Sequence, residues 1–244
     1  MPLIVPGSMQ IGPRPSGSSA PSTLPAYLTS IGKDSFYARF VAGTNMYVNS
    51  DKTGGAVSID NLVGSWDYDA ANTSNWSAYW TQATSGNRPY YKTAGGVNSL
   101  YAPSNDTATD ADTRHMQLSS TSQLNGTYSI FVKCPLLARD TRAVFSHNIS
   151  QCAILSSSGS SQLLTLFSNN SSTADQLINV VRNSPGTSSG VTLIGLSQTG
   201  TGHNGVAPYL LRRTSNYSWS AISEIWFTPQ LTAAELDAAM TFIT

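Results

Sequence analysis

Apolar and polar residues alternate in short runs along most of this chain. "YSIFVKC" puts Tyr128, Ile130, Val132 and Cys134 on one face of an extended segment and Ser129, Phe131 and Lys133 on the other. That is the period of a strand with one side on a core. Comparable β-branched and aromatic runs recur about every 8 to 15 residues. They are "SFYARFV", "AVSIDNLV", "RAVFSH", "CAILS", "QLLTLF", "LINVV", "VTLIGL", "APYLLRR" and "SWSAISEIWF". Segments such as "SSSGSS" and "SPGTSSG" supply turn residues between them. Many short strands without helical periodicity between them predict an all-β fold, an antiparallel jelly-roll sandwich.

The two ends break this pattern. In the terminal "ISEIWFTPQLTAAELDAAMTFIT", residues Ile222 to Phe227 form a run suited to a strand covered on both faces. Pro229 stops the ladder because it has no N–H to donate. Thr232, with Glu235 three residues on, makes a capping box, and Leu236, Met240 and Ile243 follow at helical spacing. A short amphipathic helix that docks on the domain is predicted there. Residues 1–26 are rich in Pro, Gly and Ser and are expected to run extended as an arm, ahead of a domain spanning 27–244. Leu3, Ile4, Val5, Met9 and Ile11 are apolar residues that a solvated linker does not need, so they are the candidate anchors of the arm.

Composition narrows the partners. Charged residues are 11% of the 244, thirteen basic balance thirteen acidic, and Ser with Thr make up about a quarter of the chain. No net field holds such a protein on nucleic acid or an anionic membrane. The opening "MPLIVPGSMQIG" has neither a basic n-region nor a long apolar stretch, so no secretion signal or membrane insertion is expected there. Cys134 and Cys152 are accordingly expected as buried thiols rather than a disulfide.

Three kinds of chemistry have candidates. Trp66, Tyr68, Trp76, Tyr79, Trp80, Tyr90 and Tyr91 crowd among Asn, Asp and Ser, a mixture that serves a glycan platform, a subunit interface or packing over the open end of the sandwich, with interface or packing ahead of glycan. Asp106, Asp110 and Asp112 share a loop with Asn105, and their oxygens suit calcium; the alternative is a solvated acidic loop. Glycoside hydrolysis needs two flanking carboxylates. The chain has two glutamates, of which Glu235 caps a helix and Glu224 lacks an acidic neighbour two residues away. Asp67 and Asp69 have the spacing but lie outside any strong strand, and no enzymatic activity is expected. His115, His147 and His203 have no metal-ligand spacing.

Three stretches in order, "TQATSGNRPYYKTAGGVNSLY", "HMQLSSTSQLNGTYSIFVKC" and "ISEIWFTPQLTAAELDAAMTFI", resemble the concanavalin A-like lectin/glucanase jelly rolls of the laminin G-like kind. The resemblance covers roughly residues 36 to 244 and rests on the Gln82 to Pro89 segment, the Leu118 strand, the "YSIFV" strand and the Glu224 strand leading to the Glu235 helix. The acidic loop of the family is replaced here by the longer "YAPSNDTATDADTRHMQL". Versions of this fold recur in bacteriophage structural proteins. The resemblance therefore implies a virion protein, made in the host cytoplasm, that meets other virion proteins through its arm, forms a homo-oligomer, and presents a lectin-like domain to a host surface glycan. Fold alone does not fix function, so a carbohydrate-binding module stays open beside it.

Overall fold

The computed structural model describes residues 20–33, 37–72, 76–103, 114–120, 124, 128–135, 142–146, 153–156, 164–167, 176–182, 192–199, 208–213, 216–217 and 220–243. The anchors Leu3, Ile4, Val5, Met9 and Ile11, the loop residues Asp106, Asp110 and Asp112, and Cys152, His147 and His203 lie outside the described residues.

Helix α1 (Leu24–Ser30) precedes β1 (Ala38–Val41), β2 (Met46–Tyr47), β3 (Ser65–Trp66), β4 (Ala70–Ala71) and β5 (Trp80–Thr81). The hairpin β6 (Tyr90–Ala94) and β7 (Val97–Tyr101) leads to β8 (Met116–Leu118), β9 (Tyr128–Cys134), β10 (Arg142–Ser146), β11 (Ala153–Ser156) and β12 (Leu164–Phe167). Then come β13 (Gln176–Arg182), β14 (Thr192–Thr199), β15 (Tyr209–Leu210), β16 (Arg212–Arg213), β17 (Asn216–Tyr217), β18 (Ala221–Ile222), β19 (Glu224–Pro229) and helix α2 (Ala233–Met240). One sheet runs β13-β14-β9-β19-β1-β4 and a second runs β12-β11-β10-β15-β8-β5-β3-β2. A three-stranded sheet β18-β7-β6 and the pair β16-β17 complete the set, and the fold is all-β with antiparallel pairing as expected.

One apolar core lies between the two large sheets. Phe40 of β1, Ile130 and Val132 of β9 and Phe227 of β19 meet Trp66, Trp80, Met116, Leu118, Phe145 and Leu210 from the eight-stranded sheet. Phe227 sits at its centre, with ring centroids 5.0 Å from Trp76, 6.0 Å from Trp80, 5.9 Å from Tyr128 and 6.4 Å from Phe145. Each such pair adds about 0.5–1.5 kcal/mol beyond the area it buries.

The other face of the six-stranded sheet is covered as well. Phe131 and Trp226 pack under Leu24 and Leu28 of α1, Leu231 in the approach to α2, and Leu236, Ala239 and Met240 of α2. The predicted capping box forms, with Thr232 Oγ1 accepting from Glu235 N at 3.3 Å and Glu235 Oε2 accepting from Thr232 N at 2.8 Å. Leu231 N donates to Ser129 Oγ at 2.9 Å, and Ser197 Oγ donates to the Leu231 carbonyl, so two strand serines pin the entry to the helix. Gly195 makes room for α2: a Cβ there would meet Met240 Sδ at 3.0 Å and Phe131 Cδ1 at 3.2 Å. The docking expected of the terminal helix is therefore onto β14 and its neighbour β13, with Phe131 of β9 in the same apolar layer.

Four details depart from the sequence expectations. The helix α1 begins at Leu24, inside the segment read as an extended arm, because Thr23 caps it through Ala26 N and Pro25 falls in the first turn, where its missing N–H costs nothing. "AVSIDNLV" makes only isolated bridges at Ala56 and Leu62, since Asp60 adopts φ 66° and Asn61 N turns back to the Ser58 carbonyl. "APYLLRR" splits at Leu211, which has φ 62°. "SWSAISEIWF" splits at Ser223, where the chain passes from the three-stranded to the six-stranded sheet.

Candidate functional site

The aromatic cluster is divided by the fold. Trp66 and Trp80 are fully buried and Trp76 is 3% exposed, so none offers a ring face to a sugar or a neighbouring subunit. Their spacing reflects the core: Trp66 Nε1 donates to the Val41 carbonyl at 3.2 Å and Trp76 Nε1 to the Ala78 carbonyl at 2.7 Å. Of the readings open for the cluster, these three tryptophans follow packing, and the glycan and interface readings do not apply to them. Tyr68 and Tyr91 pack against the same core. Tyr79 carries Lys52 Nζ 4.6 Å from its ring centroid, and Tyr90 carries Arg114 at 4.4 Å and Lys92 at 5.3 Å. These half-buried tyrosines already stack on partners of their own chain.

The aspartates of "WDYD" are also engaged. Asp67 Oδ2 lies 3.0 Å from Lys52 Nζ and Asp69 Oδ2 lies 3.4 Å from Arg39 Nη1. Burial of Lys52 works against its charge, but the hydrogen bond and charge of Asp67 outweigh it and raise the Lys52 pKa. His115 is a buried acceptor: Gln82 Nε2 and Arg212 Nη1 each approach its Nε2 at 3.0 Å. The Gln82 amide is oriented independently, since its Oε1 accepts from Thr84 N and its Nε2 also donates to the His115 carbonyl. Cys134 is buried and free, and burial pushes its thiol well above the ordinary range. Among the described residues there is no group of three or more His, Cys, Asp or Glu that could hold a metal, and no helix long and apolar enough to cross a membrane.

A different set of residues comes together where the sheets part. Ala221 and Ile222 pair with Tyr101 and Leu100 of β7, whereas from Glu224 onward the chain lies between β1 and β9. Ser223 holds the junction, donating its N–H to the Lys133 carbonyl and accepting from Ala42 N, both at 2.9 Å. The β6–β7 hairpin turns on Gly95 and Gly96, with φ 58° and 79°, values of the left-handed region that a two-residue hairpin turn demands. Its tip leans on the end of β9, where a Cβ on Gly95 would lie 3.5 Å from the Pro135 carbonyl oxygen. Between tip and junction opens a cleft of about 370 Å³, lined by Val41, Val97, Asn98, Lys133, Ser223 and Glu224 among others.

Charges in the cleft are unevenly matched. Glu224 and Lys133 are cross-strand neighbours, the placement in which opposite charges ordinarily pair. Glu224 instead turns to β1: its Oε1 accepts from Arg39 Nε at 2.7 Å and from Trp226 Nε1 at 2.8 Å, and Arg39 lies over the Trp226 ring at 5.1 Å. Lys133 Nζ is left with no hydrogen bond or ion pair among the described residues. The set offers an ammonium, an amide, a hydroxyl and a carboxylate beside an apolar wall, and suits binding of a small polar molecule. Sequence reasoning placed Lys133 on the polar side of its strand and Glu224 in the last strand but had no means to join them, because the register between β9 and β19 is not written in either segment. No protein-family model, no curated protein and no solved structure matches this chain.

Proposed function

We propose that the chain is a non-enzymatic virion structural protein of a bacteriophage: a jelly-roll domain of the concanavalin A-like kind, carried on an N-terminal arm. Head decoration or spike, and tail or fibre component, are its two placements, and self-association through the domain is part of the reading. The observation that carries it is the seat of α1. The chain that follows the arm is fastened at Leu24 and Leu28 into the apolar layer shared with α2, so a pull on residues 1–19 is borne by the packed domain and not by a loose tether. The low charge and the high Ser and Thr content support the same reading. Mass spectrometry of purified phage particles is expected to find the chain at a fixed ratio to the major capsid protein; its absence from particles would remove the proposal.

A second reading, a carbohydrate-binding module for host surface glycans, is favoured by one feature, Lys133 in the cleft beside Asn98 and Ser223 with no partner among the described residues. It locates sugar binding away from the tryptophans. The arm in that reading is a spacer, and binding persists in the purified protein without any particle.

A further inference from the structure

We infer that the cleft between the β6–β7 hairpin tip and the β9/β19 junction binds a carboxylated sugar of the uronate type, with the sugar carboxylate on Lys133. The inference takes its ligand class from the glycan reading and is independent of the virion reading.

The charge pattern leads to an anion. Lys133 is half-buried on a central strand, and the carboxylate opposite it is already taken by Arg39 and Trp226. A cation with no partner among the described residues, in a partly desolvated site, gains most from an incoming oxyanion, because charge-assisted bonds are stronger there than in bulk water. The remaining groups lead to a polyol. Asn98 Oδ1 accepts from Thr93 Oγ1 at 3.3 Å, which leaves the Asn98 NH₂ to donate to a ring hydroxyl. Glu224 Oε2 makes no hydrogen bond among the described residues and can accept from another. Val41 and Val97 give the wall an apolar strip against which the C–H face of a pyranose can lie. The volume, about 370 Å³, is in the range of small-ligand sites and fits one or two sugar rings. Gly43 lets the hairpin lie close to the end of β1: a Cβ there would strike Tyr91 Oη at 2.6 Å and crowd Asn98 Nδ2 at 3.3 Å.

The test is a titration of the isotopically labelled full chain with sodium glucuronate, glucose and sodium acetate in turn, followed by the amide resonances of Val41, Val97, Asn98 and Ser223. Glucuronate is expected to shift these resonances, with weaker shifts from glucose and acetate at equal concentration. Lys133→Gln is expected to weaken glucuronate about ten- to hundredfold, the loss of one charge-assisted hydrogen bond, while leaving glucose unchanged. Lys133→Arg should retain most of the binding, and Asn98→Ala, on the exposed hairpin tip, should weaken both sugars. Circular dichroism checks that each variant folds. The inference is overturned if glucuronate shifts none of these resonances, if Lys133→Gln binds it as well as the parent, or if acetate shifts them as strongly as glucuronate. Absence of the chain from particles would remove the virion proposal and leave this result standing.

Discussion

The two faces of the six-stranded sheet use the same strands for different ends. On the inner face, Phe40, Ile130, Val132 and Phe227 are buried against rings from the opposite sheet. On the outer face the rows change along the strands. Phe131 and Trp226 lie under the two helices, while the next row, Lys133 and Glu224, opens into the cleft. These described inner-face positions are all apolar because any gap in a closed core costs both transfer energy and lost contacts. The outer face changes character where the row under the helices, Phe131 and Trp226, gives way to Lys133 and Glu224. Function is therefore sought at the edge of the helical cover, where the sheet still fixes side chains but solvent reaches them.

Substitutions on the two faces sharpen this contrast. The largest effect is expected from Phe227→Ala, at about 3–5 kcal/mol of unfolding free energy by denaturant titration, because it opens a cavity among five aromatic rings. Leu236→Ala, under α2, should cost less, about 2–3 kcal/mol, because a terminal helix can settle into the space. If Leu236→Ala proved as costly as Phe227→Ala, the helices would belong to the core and the distinction between faces would fail. Glu224→Gln should cost about 1–2 kcal/mol through the weakened bonds to Arg39 and Trp226.

Cys134 gives a pH version of the inner-face claim. Its thiol pKa is raised by burial, so the folded state holds a proton that the unfolded state releases above about pH 8.5. Its contribution is fully present below that pH and falls as pH rises, by about 1.4 kcal/mol per unit. Stability measured against pH for the parent and for Cys134→Ala should diverge in slope only on the alkaline side; parallel curves would place the thiol in contact with solvent. The smallest effect is expected at Lys133, where Lys133→Gln should leave stability within about 0.5 kcal/mol because the ammonium has no partner to lose among the described residues.

Strand periodicity and the capping box were legible in the sequence because both are local: "YSIFVKC" and the Thr232 to Glu235 cap stand where their patterns put them, while the Ile222 to Phe227 run breaks at Ser223 and its last strand begins at Glu224. The core was legible only in part. Tryptophans among Asn and Ser leave platform, interface and packing open, and the choice rests on geometry: Trp66 and Trp80 lie on two-residue strands whose inward direction depends on pairing with each other and with β8. The second apolar layer was half visible. The stripe of α2 announced that it would dock, but its seat at Gly195 and its company with Leu24 depend on contacts between distant segments. The cleft was not legible, since Asn98, Lys133 and Glu224 come from three segments joined by β-sheet register, and nothing in any one segment records the other two.

The measurement that tests the central claim most directly is cryo-electron microscopy of phage particles carrying either the full chain or a chain lacking residues 2–19, a deletion that stops short of α1. The account predicts that full-length particles show domain-sized density at one repeated surface position, and that the shortened chain, still folded by circular dichroism, is missing from it. Equal density at that position for both chains would contradict anchoring by the arm.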